Sequence, residues 1–220
     1  MKLLAIETAT EACSAALCLD GAVSSRYEFA PRQHAELILT MVDSLLVEAG
    51  IKLTGLDFLA FGRGPGAFTG VRIATGVIQG LAFAADLPVV PVSTLAVLAQ
   101  GAAGQAEYLL SAIDARMGEV YWALFHKRQE VVELVGEEAV SKPDQVQAPA
   151  DRQWFGIGSG WRSYEKELRQ VLNGRLLGMQ GDACPHARDI IPLAIRAYAG
   201  GTAVPAAQAQ PVYLRNKVTG

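Results

Sequence analysis

The alternation of apolar runs and turn residues predicts that the chain opens with three strands. Residues 2–8 form an apolar run with a polar end, and residues 13–19 and 22–29 flank the pair Asp20-Gly21. An Asp-Gly pair between two strand-like runs is typical of a β-hairpin. The pattern over residues 2–29 therefore predicts one strand followed by a β-hairpin.

The next segment has helical spacing. Its apolar residues recur every three or four positions, at Leu37, Ile38, Met41, Val42, Leu45, Leu46 and Ala49. This pattern predicts an amphipathic helix that ends at Gly50. The remainder of the first half predicts a strand (56–61), the glycine-rich turn GRGPGAFTG (62–70), a helix (71–85), a strand (89–92) and a helix (94–102).

The second half begins the same order again at Tyr108, although no residue-level repeat is visible. The pattern predicts strands at 109–114, 119–126, 130–140 and 153–157, and helices at 161–172 and 190–199. We therefore expect an α/β protein of two tandem βββαβα-type subdomains, 1–104 and 105–220. The small residues 101–106 form the predicted boundary between them.

Composition and charge narrow the class of protein. The chain has 220 residues, of which 51% are hydrophobic and 19% charged, and this balance excludes a disordered chain. Polar residues and Pro88 interrupt its most apolar stretch, 71–92, so no membrane span is predicted. A formal net charge of -3 is the wrong sign for gripping nucleic acid alone, so any RNA role should be indirect. Glu7 interrupts the amino-terminal apolar run where a signal peptide would continue, which predicts a cytoplasmic protein.

Two carboxylates end matching first strands, Glu7 in the first half and Asp114 in the second. In a duplicated fold such positions face each other across a cleft, where carboxylates could hold a metal with a nucleotide. The alternative is that they cap turns, with Thr8 beside Glu7 and Arg116 beside Asp114 as local partners. Both interpretations stand at this point.

The run GRGPGAFTG follows a predicted strand and precedes a predicted helix, a context in which backbone amides can receive an anion. It is not a Walker loop, because Val71 follows Gly70 where a lysine is required, and Pro65 removes one amide. The plain alternative is a turn whose glycines permit positive φ. The candidate nucleotide or loop site therefore consists of Glu7, Thr8, Gly64, Gly66, Thr69 and Asp114.

The helix predicted at 71–85 is apolar almost all round and carries Gly76, Gly80 and Ala84 at four-residue spacing. Interior glycines destabilise a helix. We therefore expect that these glycines allow another helix to approach closely. A helix apolar on all faces is buried, and this one must be covered by a neighbouring helix or by another chain.

No catalytic or metal-binding constellation is visible. The three histidines are widely separated, and Cys13 and Cys18 lie five positions apart on one strand, so they face opposite sides. Neither a nucleophile elbow nor a cysteine with a marked base is present. We therefore expect no metal site and no catalytic residue.

Five segments carry a resemblance to a known family. They are LLAIETATEACSAAL (3–17), the His34-Ala35-Glu36 helix start, GRGPGAFTGVRIATGVIQGLA (62–82), SAIDARMGEVYWALF (111–125) and PVYLR (211–215). Together they resemble the bacterial TsaB family, also called YeaZ, over nearly the whole chain. The resemblance implies the actin-like ATPase fold (ASKHA, RNase H-like), in agreement with the duplicated order.

The resemblance also implies a function. TsaB proteins are accessory subunits in placing a threonylcarbamoyl group on the adenosine beside the anticodon of tRNAs that read codons beginning with A. Catalysis is attributed to the paralogue TsaD, whose metal-binding histidine pair this chain lacks, since Ile38 stands four residues after His34. The implied partners are a TsaD-like catalytic subunit, a TsaE-like ATPase and, for the chain alone, a second copy, with tRNA contacted only indirectly. No cofactor is expected for this chain, and ATP or ADP with Mg is an option at the complex.

The family pairs its first two helices against those of its partner. Carried onto this sequence, the expected interface consists of Leu37, Met41, Val42, Leu45, Ile73, Gly76, Val77, Gly80 and Phe83. Two rival functions remain: a stand-alone actin-fold kinase or carbamoyl transferase that uses Glu7 and Asp114 around a magnesium nucleotide, and a peptidase, which the missing metal spacing disfavours.

Overall fold

The computed structural model describes residues 1–215, which contain two five-stranded sheets. The first sheet has the spatial order β3-β2-β1-β4-β5. Its strands are β1 (Lys2–Glu7), β2 (Ala12–Leu19), β3 (Ala22–Phe29), β4 (Phe58–Gly62) and β5 (Val89–Val92). The Asp20-Gly21 turn joins β2 and β3 as an antiparallel hairpin, as the sequence predicts.

The second sheet repeats this plan with the order β10-β9-β6-β7-β8. Its strands are β6 (Tyr108–Arg116), β7 (Glu119–Arg128), β8 (Val131–Ser141), β9 (Trp154–Ile157) and β10 (Leu176–Gln180). In each sheet the first strand pairs antiparallel with the second and parallel with the fourth. The predicted duplication of the strand order is therefore confirmed.

In the described part of the chain, six α-helices cover the sheets. They are α1 (His34–Glu48), α2 (Phe68–Ala85), α3 (Thr94–Gly101), α4 (Ser159–Ser163), α5 (Glu165–Leu172) and α6 (Ala187–Ala199).

Strand periodicity determines which helices lie on which face. On β1, Leu3 and Ala5 point into one core, whereas Leu4 and Ile6 point into another, because successive side chains of a strand face opposite sides. The first core also contains residues of α3, α6 and the second sheet, and the second core contains α1 and α2. A third core places α4 and α5 on the far side of the second sheet. The molecule is thus an α/β protein of the actin-like class, with α3 and α6 between the two sheets.

The opposite orientation of the two strand cysteines is confirmed. Cys13 belongs to the core under α1 and α2, whereas Cys18 belongs to the core under α3 and α6. The first sheet separates their side chains, so they share no site.

The second lobe departs from the predicted order in three places. Strand β10 was missed because its residues are half-exposed or exposed and show no apolar alternation. The single helix predicted at 161–172 is broken at Tyr164, whose φ of -135° is not helical. The stretch between β8 and β9 contains only a short turn, Pro143–Gln145, where the first lobe has α1.

The proposed division at residues 104 and 105 separates the strands of the two sheets. Beyond β10, however, α6 packs on the first sheet, and Val204 pairs with Val89 of β5. The last part of the second sequence half thus returns to the first lobe. The division into 1–104 and 105–220 stays a prediction. It follows the order of the sequence, whereas α6 and Val204 lie against the first sheet.

Candidate functional site

Glu7 ends β1 and is completely buried. Its Oε1 accepts a hydrogen bond from the Ala9 N–H (2.7 Å), and its Oε2 accepts one from the Thr94 hydroxyl (3.3 Å). Burial raises the pKa of the Glu7 carboxyl to about 7. A β-carbon at Gly62 would lie 1.9 Å from Oε2, so the carboxyl is enclosed on that side too. Glu7 therefore caps the turn after β1 and ties it to the start of α3.

This buried carboxyl predicts a pH dependence of stability. Its pKa is 4.5 in an ordinary setting and about 7 in the folded protein, so its favourable contribution is complete below pH 4.5 and is lost as the pH rises through 7. In Glu7→Gln the side chain keeps both hydrogen-bond partners and does not titrate. Wild type should therefore lose up to about 3 kcal/mol of unfolding free energy relative to the variant across this window.

Urea unfolding of both proteins at several pH values measures that difference. Other titrating groups act equally in the two proteins and cancel. A difference that stays constant across the window would show that the Glu7 carboxyl keeps its ordinary pKa.

The glycine-rich run packs against the turn after β1 by direct backbone contact. The Ala67 N–H donates to the Ala9 carbonyl (2.7 Å), and the Thr8 hydroxyl donates to the Gly70 carbonyl (2.7 Å). A β-carbon would lie 2.3 Å from the Ala9 carbonyl oxygen if placed at Gly66, and 2.1 Å from that of Thr8 if placed at Gly70. These glycines are therefore required by the close approach of two backbones.

Asp114 lies near the end of β6 with its carboxylate surrounded by donors. The backbone N–H and the guanidinium of Arg116 donate to it (2.8 and 3.2 Å). The hydroxyls of Ser163 and Tyr164 donate to it as well (3.3 and 3.4 Å). This is the turn-capping arrangement, here extended by an arginine and two hydroxyls of the second lobe.

A cavity of about 870 Å³ lies between the lobes. Its lining includes four arginines, three aromatic residues and several small or polar residues. The residues are Ala9, Thr10, Glu11, Gly66, Ala67, Phe68, Arg72, Ile113, Asp114, Ala115, Arg116, Tyr121, Ser159, Arg162, Ser163, Tyr213 and Arg215. Of the candidate nucleotide or loop site, only Gly66 and Asp114 reach this cavity, whereas Glu7, Thr8, Gly64 and Thr69 do not line it.

A magnesium nucleotide, which the fold class suggests, does not fit these residues. Magnesium is bound through carboxylate oxygens, and those of Asp114 already accept four hydrogen bonds. Glu7 is buried away from the cavity. Within residues 1–215, no group of three or more His, Cys, Asp or Glu side chains could hold a metal ion.

The other candidate surface is the outer side of α2. The helix buries Val71, Ala74, Ile78 and Ala82 against the first sheet. On its other side Ile73 and Val77 are half-buried, and Phe83 is 84% exposed. A β-carbon at Gly76 or Gly80 would meet nothing within 4 Å. The two glycines therefore open a shallow apolar surface, and no helix within residues 1–215 covers it.

The expected interface needs a correction on α1. Met41, Val42 and Leu45 are 8%, 3% and 1% exposed, and they belong to the core between α1 and the first sheet. Helical periodicity cannot tell which side of an apolar helix faces the sheet, and here these three positions do. Leu37 is half-buried, so of the four α1 residues it alone stays in the expected interface.

Among the described residues, α2 alone is long and apolar enough to cross a membrane by length and composition. Only 33% of its most apolar window is buried. Its position on the first sheet is that of a core helix with one uncovered side. Its hydropathy is thus explained by two apolar faces, one against the sheet and one at the surface.

Of the four cavity arginines, the sequence singled out Arg116 alone, as the local partner of Asp114. Arg72 and Arg215 stand within the family-like segments GVRIATG and PVYLR, but their meeting depends on the return of the chain to the first lobe. In the structure the Arg72 Nε donates to the Tyr213 hydroxyl (3.0 Å), 141 positions away. Such long-range contacts leave no periodic signal in a single sequence.

Comparison with known proteins gives consistent findings from one family model, two relatives and one solved structure. The family model for TsaD, described as tRNA N6-adenosine threonylcarbamoyltransferase, matches residues 26–158. The chain is 46% identical to the tRNA threonylcarbamoyladenosine biosynthesis protein TsaB of Escherichia coli, with 99% of this chain and 96% of that protein covered. It is 39% identical to the protein of the same name from Haemophilus influenzae, with 100% and 95% covered. The solved structure of YeaZ from Pseudomonas aeruginosa is similar with a TM-score of 0.90, 50% identity and coverage of 97% and 99%.

Proposed function

The chain belongs to the TsaB family of tRNA threonylcarbamoyladenosine biosynthesis proteins, and we propose that it acts there as a noncatalytic subunit that binds a TsaD-like enzyme. The pathway follows from the relatives that cover nearly the whole chain. The role within the pathway rests on the geometry of α2 and on the state of the two first-strand carboxylates.

The uncovered side of α2 carries the proposal. We call it the α2 face and define it by Ile73, Gly76, Val77, Gly80 and Phe83. A side chain as large as phenylalanine at 84% exposure adds an apolar surface beside two open glycines. Rigid, shallow apolar surfaces of this kind suit the close approach of a partner helix, and an exposed aromatic residue is a common anchor at interfaces.

The match to the TsaD family model adds support. It spans residues 26–158, which include α1, α2 and the strands from β4 to β9. Over that span the chain is similar in sequence to its proposed partner. Related folds can pair through equivalent helices, so one surface can serve a TsaD-like enzyme and, for the chain alone, a second copy.

The arrangement of polar groups favours a noncatalytic role. Glu7 is buried as a turn cap, and the carboxylate of Asp114 is held by four donors. His34 is buried at the start of α1, and Ile38 occupies the position one turn later as a core residue. These residues maintain the fold, and reaction chemistry is assigned to the partner.

The remaining members of the proposed assembly follow from the same role. A TsaE-like ATPase and the tRNA meet the catalytic subunit, and the net charge of -3 fits an indirect relation of this chain to tRNA. We assign any ATP or ADP with Mg to the complex, because Glu7 is buried and the carboxylate of Asp114 is held by four donors. The proposal places the protein in the cytoplasm.

Calorimetric titration of the chain with the TsaD-like enzyme of the same organism tests the proposal. We expect a saturable complex, and we expect Gly80→Leu to weaken it at least about tenfold, because a leucine would hold the partner helix away from α2. Leu39→Ala is the control, since Leu39 is exposed on α1 and is not part of the α2 face. Equal affinity of wild type and Gly80→Leu would remove the α2 face as the docking site.

A further inference from the structure

We propose that the cavity between the lobes binds a small multivalent anion, carrying phosphate or carboxylate groups, through its arginines and without a divalent cation. The cavity draws Arg72 from the first lobe, Arg116 and Arg162 from the second, and Arg215 from the returning end of the described chain. Its volume of about 870 Å³ is that of a small-molecule site. This inference is independent of docking through the α2 face.

Arg72 is held in place with its charge uncompensated. Its guanidinium lies 3.7 Å from the centre of the Phe68 ring, and its Nε donates to the Tyr213 hydroxyl (3.0 Å). Across residues 1–215 no carboxylate forms an ion pair with it, although ion pairs are present at Arg116, Arg162 and Arg215. Stacking and one hydrogen bond fix the plane of the guanidinium and leave its two terminal nitrogens as donors for an anion.

The partners of two further arginines stand outside the cavity. Arg162 pairs with Asp182 at 2.9 Å, and Arg215 pairs with Glu119. Neither carboxylate lines the cavity. The Arg162–Asp182 pair is well exposed, with 55% and 86% of the two side chains accessible, and exposed ion pairs contribute little free energy. An anion in the cavity can therefore recruit Arg162 at small cost.

The carboxylates that do line the cavity face its arginines. Asp114 accepts hydrogen bonds from Arg116 and from two hydroxyls, and Glu11 lies 3.9 Å from the Arg116 guanidinium. At Asp114 a cation would have to displace these donors to reach an oxygen. An anion instead meets guanidinium groups, whose planar forks match phosphate and carboxylate geometry. The site thus lies in the cleft between the lobes, where the sequence left open a metal ion with a nucleotide. The ligand proposed here is instead an anion without a metal ion.

Calorimetric titration of the full chain with pyrophosphate and with citrate, in buffer freed of divalent cations by a chelating resin, tests the proposal. We expect saturable binding of at least one probe, weakened about tenfold by Arg72→Gln and by Arg162→Gln, because each removes charge-assisted hydrogen bonds. The control is Arg169→Gln, since Arg169 pairs with Glu165 on the surface of α5 and does not line the cavity. Urea unfolding of each variant confirms that it is folded, and Arg162→Gln carries the test if Arg72→Gln is unstable.

The two probes separate the sources of the anion. Binding of pyrophosphate alone identifies a phosphate ligand, and binding of citrate alone identifies a carboxylate ligand. Binding of both probes shows that the site recognises negative charge and does not distinguish the two groups. Three results would overturn the proposal: no binding of either probe at millimolar concentration, binding that requires added magnesium, or affinities that Arg72→Gln and Arg162→Gln leave unchanged.

Discussion

We expect Gly70→Ala to destabilise the fold by about 3 kcal/mol, although Gly70 lies in a helix, where alanine is normally preferred. The added β-carbon would lie 2.1 Å from the Thr8 carbonyl oxygen. That oxygen belongs to the turn that Glu7 caps, so it cannot move without breaking buried hydrogen bonds. Equilibrium unfolding in urea measures the loss.

Gly76→Ala on the same helix is the matched control. A β-carbon at Gly76 meets nothing within 4 Å, so the substitution should stabilise the protein by about 0.5–1 kcal/mol through helix propensity alone. The two substitutions are chemically identical and differ only in what the new methyl group meets. A loss of stability of the same size in both would contradict the packing described for the glycine-rich run.

We expect Phe83→Asp to weaken the complex with the TsaD-like enzyme about 100-fold. Phe83 is 84% exposed, so the substitution should leave the stability of the isolated chain almost unchanged. In the complex it would remove an apolar anchor and bury a charge in its place. Calorimetry of the purified pair measures the affinity.

Leu177→Asp provides the comparison for this effect. Leu177 is 54% exposed on β10 of the second lobe, far along the chain from the α2 face. It should leave the affinity unchanged, because the same change in polarity is made away from the proposed contact. Equal weakening by both variants would indicate a general loss of solubility, and no weakening by Phe83→Asp would place the interface elsewhere.

Local patterning predicted the elements that bury one or both faces. The strand predicted from the apolar run at 2–8 and the Asp20-Gly21 hairpin were confirmed, and burial on both sides of the first sheet explains the unbroken apolar run of β1. The break in the helix at Tyr164 was not predictable, because neither glycine nor proline interrupts the sequence of residues 161–172. Strand β10 escaped because an edge strand with little burial needs no apolar alternation.

The candidate site was predictable in part, for a similar reason. Because α2 is apolar almost all round, the sequence alone indicated an outer apolar surface on this helix. The spacing on α1 could not show that Val42 and Leu45 face the sheet. The turn-capping interpretation of Glu7 was available from the sequence as one of two alternatives, and the contacts of Glu7 with Ala9 and Thr94 are those of a turn cap. The cavity arginines come from distant parts of the chain, and only the fold brings them together.

The measurement that tests the central claim most directly is threonylcarbamoyl transfer to tRNA in a reconstituted mixture. The mixture contains the TsaD-like enzyme, the TsaE-like ATPase and the activated threonylcarbamoyl donor, with wild-type chain, with Phe83→Asp, or with neither. The account predicts full product with wild type, strongly reduced product with Phe83→Asp or on omission, and none from this chain alone. Full product on omission, or product from the chain by itself, would contradict a required noncatalytic subunit.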